Sequence, residues 1–404
     1  MIELIVFILV AAFILESSLE RLNQISAQKT PDPLVVDLYD RSGREKSIKY
    51  GEERNRLSLI SGAISLSVLI LALTFGWFAA LDRQISNFIG SDLLVSLAFI
   101  GSISVISWWI SLPFTLYSTF SIEKRYGFNK TTPKIFITDS LKGSLISLLI
   151  GGPILALVIW LYQEFEESFW FYAWVLVATV SLFIFMFGTK LILPLFNKLT
   201  PLPKGPLRTA ISNYCDSQGY SLKNLYVMDG SKRSTKANAF FSGLGKSKTI
   251  VLFDTLIEKL TQDEIVAVLA HEIGHYKKRH TLASFVASNF QTFAIFALFG
   301  WALQYDQLSE ALGAETPSFH LSALTFFILL TPLQILLGLI NNSLSRMNEL
   351  AADTFAAKTY KRAPMRSALS KISTDSLSNL SPHPLYVAFN YTHPPLVARL
   401  RNVG

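Results

Sequence analysis

The stretch LIEKLTQDEIVAVLAHEIGHYKKR, residues 256–279, decides how the rest of the chain is read. Thr261 and Glu264 form a capping box that opens a helix. Ile265, Leu269 and Ile273 then repeat at i, i+4, the spacing of a buried stripe. On that helix His271 and His275 stand one turn apart, so both imidazoles face one way and can share one zinc ion. Glu272 lies beside them but points aside, where a carboxylate can deprotonate a zinc-bound water. Catalytic zinc asks for three protein ligands and one open position, so a further ligand has to come from elsewhere in the sequence.

The surrounding chain is not that of a soluble protein. Half of its 404 residues are hydrophobic and only 16% are charged; the mean hydropathy is +0.38. Apolar stretches of about the 20 residues needed to cross a bilayer recur at 2–16, 58–80, 93–120, 143–162, 170–196, 282–304 and 319–343. The first is short, but Glu3 stands where a basic leader would be and no small-residue cleavage site follows. It is read as a retained helix, not a signal peptide. Loops 17–57, 121–142, 197–281 and 344–404 carry 34 of the 36 Lys and Arg, whereas the alternate loops carry only Arg83. The positive-inside rule therefore puts the first group in the cytosol and the amino terminus outside. The net charge of +7 reports orientation, and no nucleic-acid partner is expected. A single cysteine, Cys215, excludes an intrachain disulfide and a multi-cysteine metal cluster; it is read as a packed apolar residue.

The expected fold class is mainly α: a polytopic membrane protein of about seven transmembrane helices with a small α/β, zincin-like catalytic domain on the cytosolic side. Five spans fill 1–196. The segment 197–281 holds a strand pair and the HExxH helix, 282–343 holds two more spans, and 344–404 a further helix and a C-terminal segment. For the third ligand, His280 lies at i+5 from His275 and reads as a solvated residue around the helix. His320 falls on the opposite membrane side. The carboxylates that remain cluster in SRMNELAADTFAAKTY, where Glu349 and Asp353 share one helix face. That pair suits a zinc ligand with an outer partner for a histidine N–H. It suits equally an acidic face that is solvated or paired with Arg346.

HEIGH followed by NELAAD resembles the CAAX prenyl endopeptidases, integral-membrane zinc metalloproteases. The likeness extends to EKRYGFNKTTPKIFITD (123–139), LPLFNKLTPLP (193–203), SKRSTKANAFFSGLGKSKTIVLFDTLIEKL (231–260) and YTHPPLVARL (391–400), in the same order. The resemblance implies His271, His275 and Glu349 as ligands of one Zn2+, Glu272 as the base, and Asp353 as the residue that orients a histidine. It implies that Asn238, Ala239 and Phe240 pair with the substrate backbone, that His393 and Arg399 face the developing oxyanion, and that Arg346 supports the site. It also implies a ring of seven helices around a large water-filled chamber.

The residues themselves allow other readings of these later positions. The two short strands around a Gly-containing turn would offer an edge to an extended peptide, but Asn238 reads as well as an ordinary turn residue. His393, before Pro-Pro, could be only a capped turn, and Arg399 could bind a lipid phosphate or a carboxylate. The implied activity is endoproteolysis near the carboxyl terminus of prenylated CAAX-type proteins or related membrane-associated peptides. A bilayer-embedded protease would meet a lipid-anchored substrate at the surface. Two rivals stand beside it: a broad-specificity quality-control zinc protease, and a non-enzymatic membrane protein that binds lipid or peptide. Short extramembrane loops favour a bacterial inner membrane, with the endoplasmic reticulum as the location in a eukaryote.

Overall fold

The computed structural model describes residues 1–220, 224–242 and 249–404. Among the described residues, five helical runs are long and apolar enough to cross a membrane: Ile2–Ala27, Arg41–Thr74, Asp92–Glu123, Pro133–Phe196 and His280–Ala302. A sixth is the pair Phe319–Leu329 and Thr331–Thr359, bent by 53° where Pro332 can donate no backbone hydrogen bond. Five of the seven expected stretches fall within these runs; 58–80 continues past Thr74 and 282–304 past Ala302. Both 143–162 and 170–196 lie inside Pro133–Phe196. That run breaks at Glu166–Ser168, where Glu166 takes a φ of 40°. The helices either side, Gly152–Phe165 and Phe169–Leu191, fold back on each other.

Several boundaries differ from the hydropathy reading. The first helix runs to Ala27, the second begins at Arg41 and ends at Thr74, and Trp77–Phe88 is a helix of its own. Hydropathy marks only the length that lipid covers, whereas the hydrogen-bond ladder continues into water at the catalytic end.

Neighbouring helices pack in a closed circuit. Ile2–Ala27 meets Arg41–Thr74, then follow Asp92–Tyr117, Gly152–Phe165, Phe169–Leu191 and His280–Ala302; Phe319–Leu329 returns to the first. A helix against a packed core buries a stripe at least about 100° wide, over a quarter of its residues. The apolar windows of the five long runs bury only 6–17%, so the circuit is a hollow ring. One end is plugged by a cluster containing Ile5, Phe78, Phe99, Leu312 and Leu321.

The other end carries the catalytic layer. Strands β1 (Leu199–Pro201), β2 (Asn224–Met228), β3 (Ala239–Ser242) and β4 (Thr249–Phe253) form a sheet of order β1-β2-β4-β3. β3 and β4 are antiparallel, as expected for a strand pair, and β3 is an edge. The Gly-containing turn between them lies outside the described residues. β4 and the helix Gln262–Lys277 are walled by one core in which Ile265, Leu269 and Ile273 are at most 2% exposed. The capping box is present: Thr261 Oγ1 accepts from Glu264 N, and Glu264 Oε2 accepts from Thr261 N at 2.8 Å. Ser367 and Lys371 saturate the remaining oxygen.

Candidate active site

Two helices make the centre of the site. Gln262–Lys277 carries His271, Glu272 and His275; Thr331–Thr359 runs without interruption from the apolar zone to Glu349 and Asp353. Gly274 sets how closely they approach. A Cβ there would lie 3.2 Å from the Ala352 Cα and 3.2 Å from the Phe355 Cβ, so any larger residue would press the second helix away by a few tenths of an ångström.

At that contact His271 Nε2 and His275 Nε2 are 3.1 Å apart, and Glu349 oxygens lie 3.3 and 3.2 Å from them. Metal–ligand bonds of about 2.0–2.1 Å in a tetrahedral site would separate ligand atoms by roughly 3.3 Å. The His271 Nδ1–H faces Asp353 Oδ1 at 2.8 Å, which leaves the Nε2 lone pair free toward its neighbours. Glu349 Oε2 is buried without a hydrogen-bond partner. Three electron-pair donors thus converge on one point, an arrangement that suits a cation. Burial alone would lower the His271 pKa; its contacts with Asp353 and Glu349 outweigh that and lift it to about 9. The donor set fits a tetrahedral metal.

Around this cluster lies a layer of orienting contacts. Asp353, fully buried, accepts from Arg399 Nε at 2.8 Å and Nη2 at 2.6 Å. Arg399 Nη2 also sits 3.5 Å from Glu349 Oε2. Its guanidinium therefore stands behind the ligands, gripping Asp353 side-on. His280 departs from the expectation of a solvated residue: its Nδ1 is 3.1 Å from His275 Nδ1. Arg279 adopts a left-handed φ of 57°, which breaks the helix and swings His280 back under His275. His320 is remote, as expected, bound to Asp82, Ser96 and Ser318 near the plugged end.

Glu272 faces the cavity beside the cluster with no hydrogen-bond partner among the described residues. Burial pushes its carboxyl above the usual range; His271 and His275 oppose this and Glu349 adds to it. His393 is open to the same cavity, its Nε2 3.5 Å from Glu349 Oε1 and its Nδ1 3.0 Å from Thr392 Oγ1. Desolvation in the cavity wall holds its pKa below that of a free imidazole, with Glu349 opposing. Arg346 shapes this loop, donating to the carbonyls of Val387 at 2.9 Å and Tyr391 at 2.7 Å.

Asn238 and Ala239 line the cavity where β3 begins, with Phe240 following in the edge strand. Lys236, just before them, joins Glu123 and the Tyr50 hydroxyl, each at 3.1 Å. This tie from the ring to the β3 edge, like the Thr392–His393 contact, has no periodicity in the sequence that would announce it.

Residues 201–404 match the model for peptidase family M48, and residues 21–198 match that for the CAAX prenyl protease N-terminal region of five membrane helices. The chain belongs to the M48 peptidases. It is 36% identical to CAAX prenyl protease 1 homolog of Arabidopsis thaliana, covering 99% of this chain and 97% of the relative. It is 33% identical to CAAX prenyl protease 1 of Saccharomyces cerevisiae, over 97% and 92%. The crystal structure of S. mikatae Ste24p superposes with a TM-score of 0.93 at 32% identity, covering 99% of this chain and 98% of that one. The M48 chain described here is a multi-pass membrane metalloendopeptidase, acting on peptide or protein substrates.

Proposed function

We propose that the chain is a zinc endopeptidase that cleaves near the carboxyl terminus of prenylated CAAX-type proteins or related membrane-associated peptides. The observation that carries this reading is the convergence of His271, His275 and Glu349 donor atoms beside an unpartnered Glu272 at the mouth of a hollow membrane ring. The relatives named above bear the activity in their names.

His271, His275 and Glu349 would hold the zinc. When bound, that ion lowers the pKa of a coordinated water toward neutrality and polarises a carbonyl. Glu272 takes the proton of the attacking water and passes it to the leaving amine. Thr392 Oγ1 lies 3.0 Å from His393 Nδ1; with the hydroxyl as donor the ring proton sits on Nε2, and that N–H then faces the developing oxyanion, a contact of a kind worth roughly 3–4 kcal/mol in the barrier. Arg399 acts through Asp353: it fixes the carboxylate that holds His271 in its ligating tautomer. Asn238, Ala239 and Phe240 offer the free edge of β3 to an extended peptide. Arg346 keeps the His393 loop in reach. The basic loops favour a cytosolic position for this end of the ring, in the inner membrane of a bacterium or the endoplasmic reticulum of a eukaryote.

The test is zinc content and peptide cleavage of the purified protein and its Glu272→Gln variant, on a farnesylated CAAX peptide and its unprenylated twin. About one zinc per chain in both proteins, with cleavage lowered 100- to 10,000-fold in the variant, is expected. A variant that cuts as fast as the wild type, or a wild type that binds no zinc, would overturn the mechanism.

A further inference from the structure

The cavity beside the metal cluster also has a feature that bears on how a substrate's end is registered, an inference that rests on the C-terminal cleavage proposed above. The cavity, about 830 Å3, runs from His271, Glu272 and Glu349 along the helix Arg41–Thr74. That helix turns a stripe toward it that includes Arg44, Ser47, Arg54 and Ser58, spaced as one helical face.

Four guanidinium or ammonium groups line this cavity: those of Arg44, Arg54, Lys236 and Arg399. Three are committed. Arg399 grips Asp353, Lys236 is tied to Glu123 and Tyr50, and Arg44 donates to the carbonyls of Gln28 and Lys29. Arg54 alone has no carboxylate or carbonyl partner among the described residues. Its guanidinium carbon stands 5.5 Å from the Tyr50 ring centroid, a contact that occupies a face of the ion and leaves its N–H groups free. Its charge reaches Glu20 and also Tyr391, two residues before His393: burial and Glu20 raise that phenol, and Arg54 pulls against the rise. A planar guanidinium that feels Glu20 only at a distance and has no hydrogen-bonded carboxylate among the described residues, on the wall of a peptide site, is suited to a bidentate carboxylate.

We propose that Arg54 binds the terminal α-carboxylate of the peptide substrate and thereby sets how many residues leave beyond the scissile bond. Three extended residues reach at most about 10–11 Å, so the ion at the end of the product is a ruler of fixed length. Glu20 lines the same cavity, its carboxyl accepting from Tyr386 at 2.9 Å. Replacing it with glutamine removes an acid from the carboxylate's surroundings and should sharpen the preference for a free terminus.

The experiment measures binding to full-length, zinc-loaded Glu272→Gln protein, using a farnesylated CAAX peptide with a free carboxylate and the same peptide as its C-terminal amide. The acid is expected to bind roughly 10- to 100-fold more tightly than the amide, the range of a hydrogen bond to a charged group. Adding Arg54→Ala should remove that preference by weakening the acid alone, and Arg54→Lys should restore part of it. Unchanged amide binding reports an intact fold. Equal binding of acid and amide before the substitution, or equal weakening of both after it, would overturn the assignment. A wild-type protein that cleaves both peptides with no acid preference sinks the ruler and leaves the protease standing. An Arg54-dependent acid preference without any cleavage does the reverse.

Discussion

The two ends of the molecule are held by different means. Around His271 most polar side chains other than Glu272 are fixed by another: Asp353 by Arg399, His275 by His280, His393 by Thr392, the His393 loop by Arg346. The helix beneath them rests on side chains with almost no exposure. In the ring the helices bury only 6–17% of their apolar windows, and glycines such as Gly51, Gly101, Gly143 and Gly338 have open space where a Cβ would go, although Gly300 abuts Trp170. A metal site must hold its donors within tenths of an ångström. A ring needs only continuity, because lipid covers its outer face. Rigidity is concentrated at one end, and substitutions of the same kind should have unequal effects in the two places.

The largest inequality is expected at Asp353. Asp353→Asn removes the charge that Arg399 grips and lets the amide present an N–H to His271, favouring the wrong tautomer. Loss of such a partner typically costs 10- to 100-fold in metal affinity or activity. Zinc titration by competition with a chelator, alongside peptide cleavage, checks it. Unaltered affinity would show that Asp353 only packs the helix and does not hold His271.

A matched glycine pair comes next. Gly274→Ala drives a methyl to 3.2 Å from the Ala352 backbone, which cannot yield as a side-chain tip could. Overpacking of this kind costs about 1–3 kcal/mol, and here it falls on the spacing between His271, His275 and Glu349. Gly101→Ala, in the ring, meets nothing within 4 Å. Thermal unfolding and zinc affinity should fall for the first and stay level for the second. Equal effects would refute the division of rigidity.

What the sequence made legible follows the same division. The helix of residues 256–279 declared itself through the Thr261–Glu264 box and the Ile265, Leu269, Ile273 stripe, because local hydrogen bonds and one buried face determine it. The apolar runs were equally plain, but their polar extensions were not: Arg41 to Leu57 reads as a basic loop, yet it is helix. That misreading also conceals Arg54, which by composition is one more marker of membrane orientation. His280 was misplaced because no residue pattern announces that Arg279 will turn left-handed. Glu349 and Asp353 stayed ambiguous in spacing alone, since their meaning depends on Gly274 and Ala352 bringing two distant helices together. Contacts between segments far apart in sequence carry no periodicity; the family likeness supplied those positions.

The smallest effect is chemical silence at one cysteine. Cys215 lies in the core of the catalytic end with no exposure, and burial pushes its thiol up to about 12. A thiol reacts as thiolate, so at pH 8 a water-soluble maleimide should leave the native protein unlabelled and fully active. Ser58 lines the cavity on the ring side; in a Cys215→Ala background, Ser58→Cys should label at the rate of an open thiol. Mass spectrometry of both proteins, native and unfolded, separates the cases. If Cys215 labels without unfolding, the catalytic end opens more freely than its packing implies. If Ser58→Cys is protected, water does not fill the ring at that level, and a peptide would need some other route to Glu272.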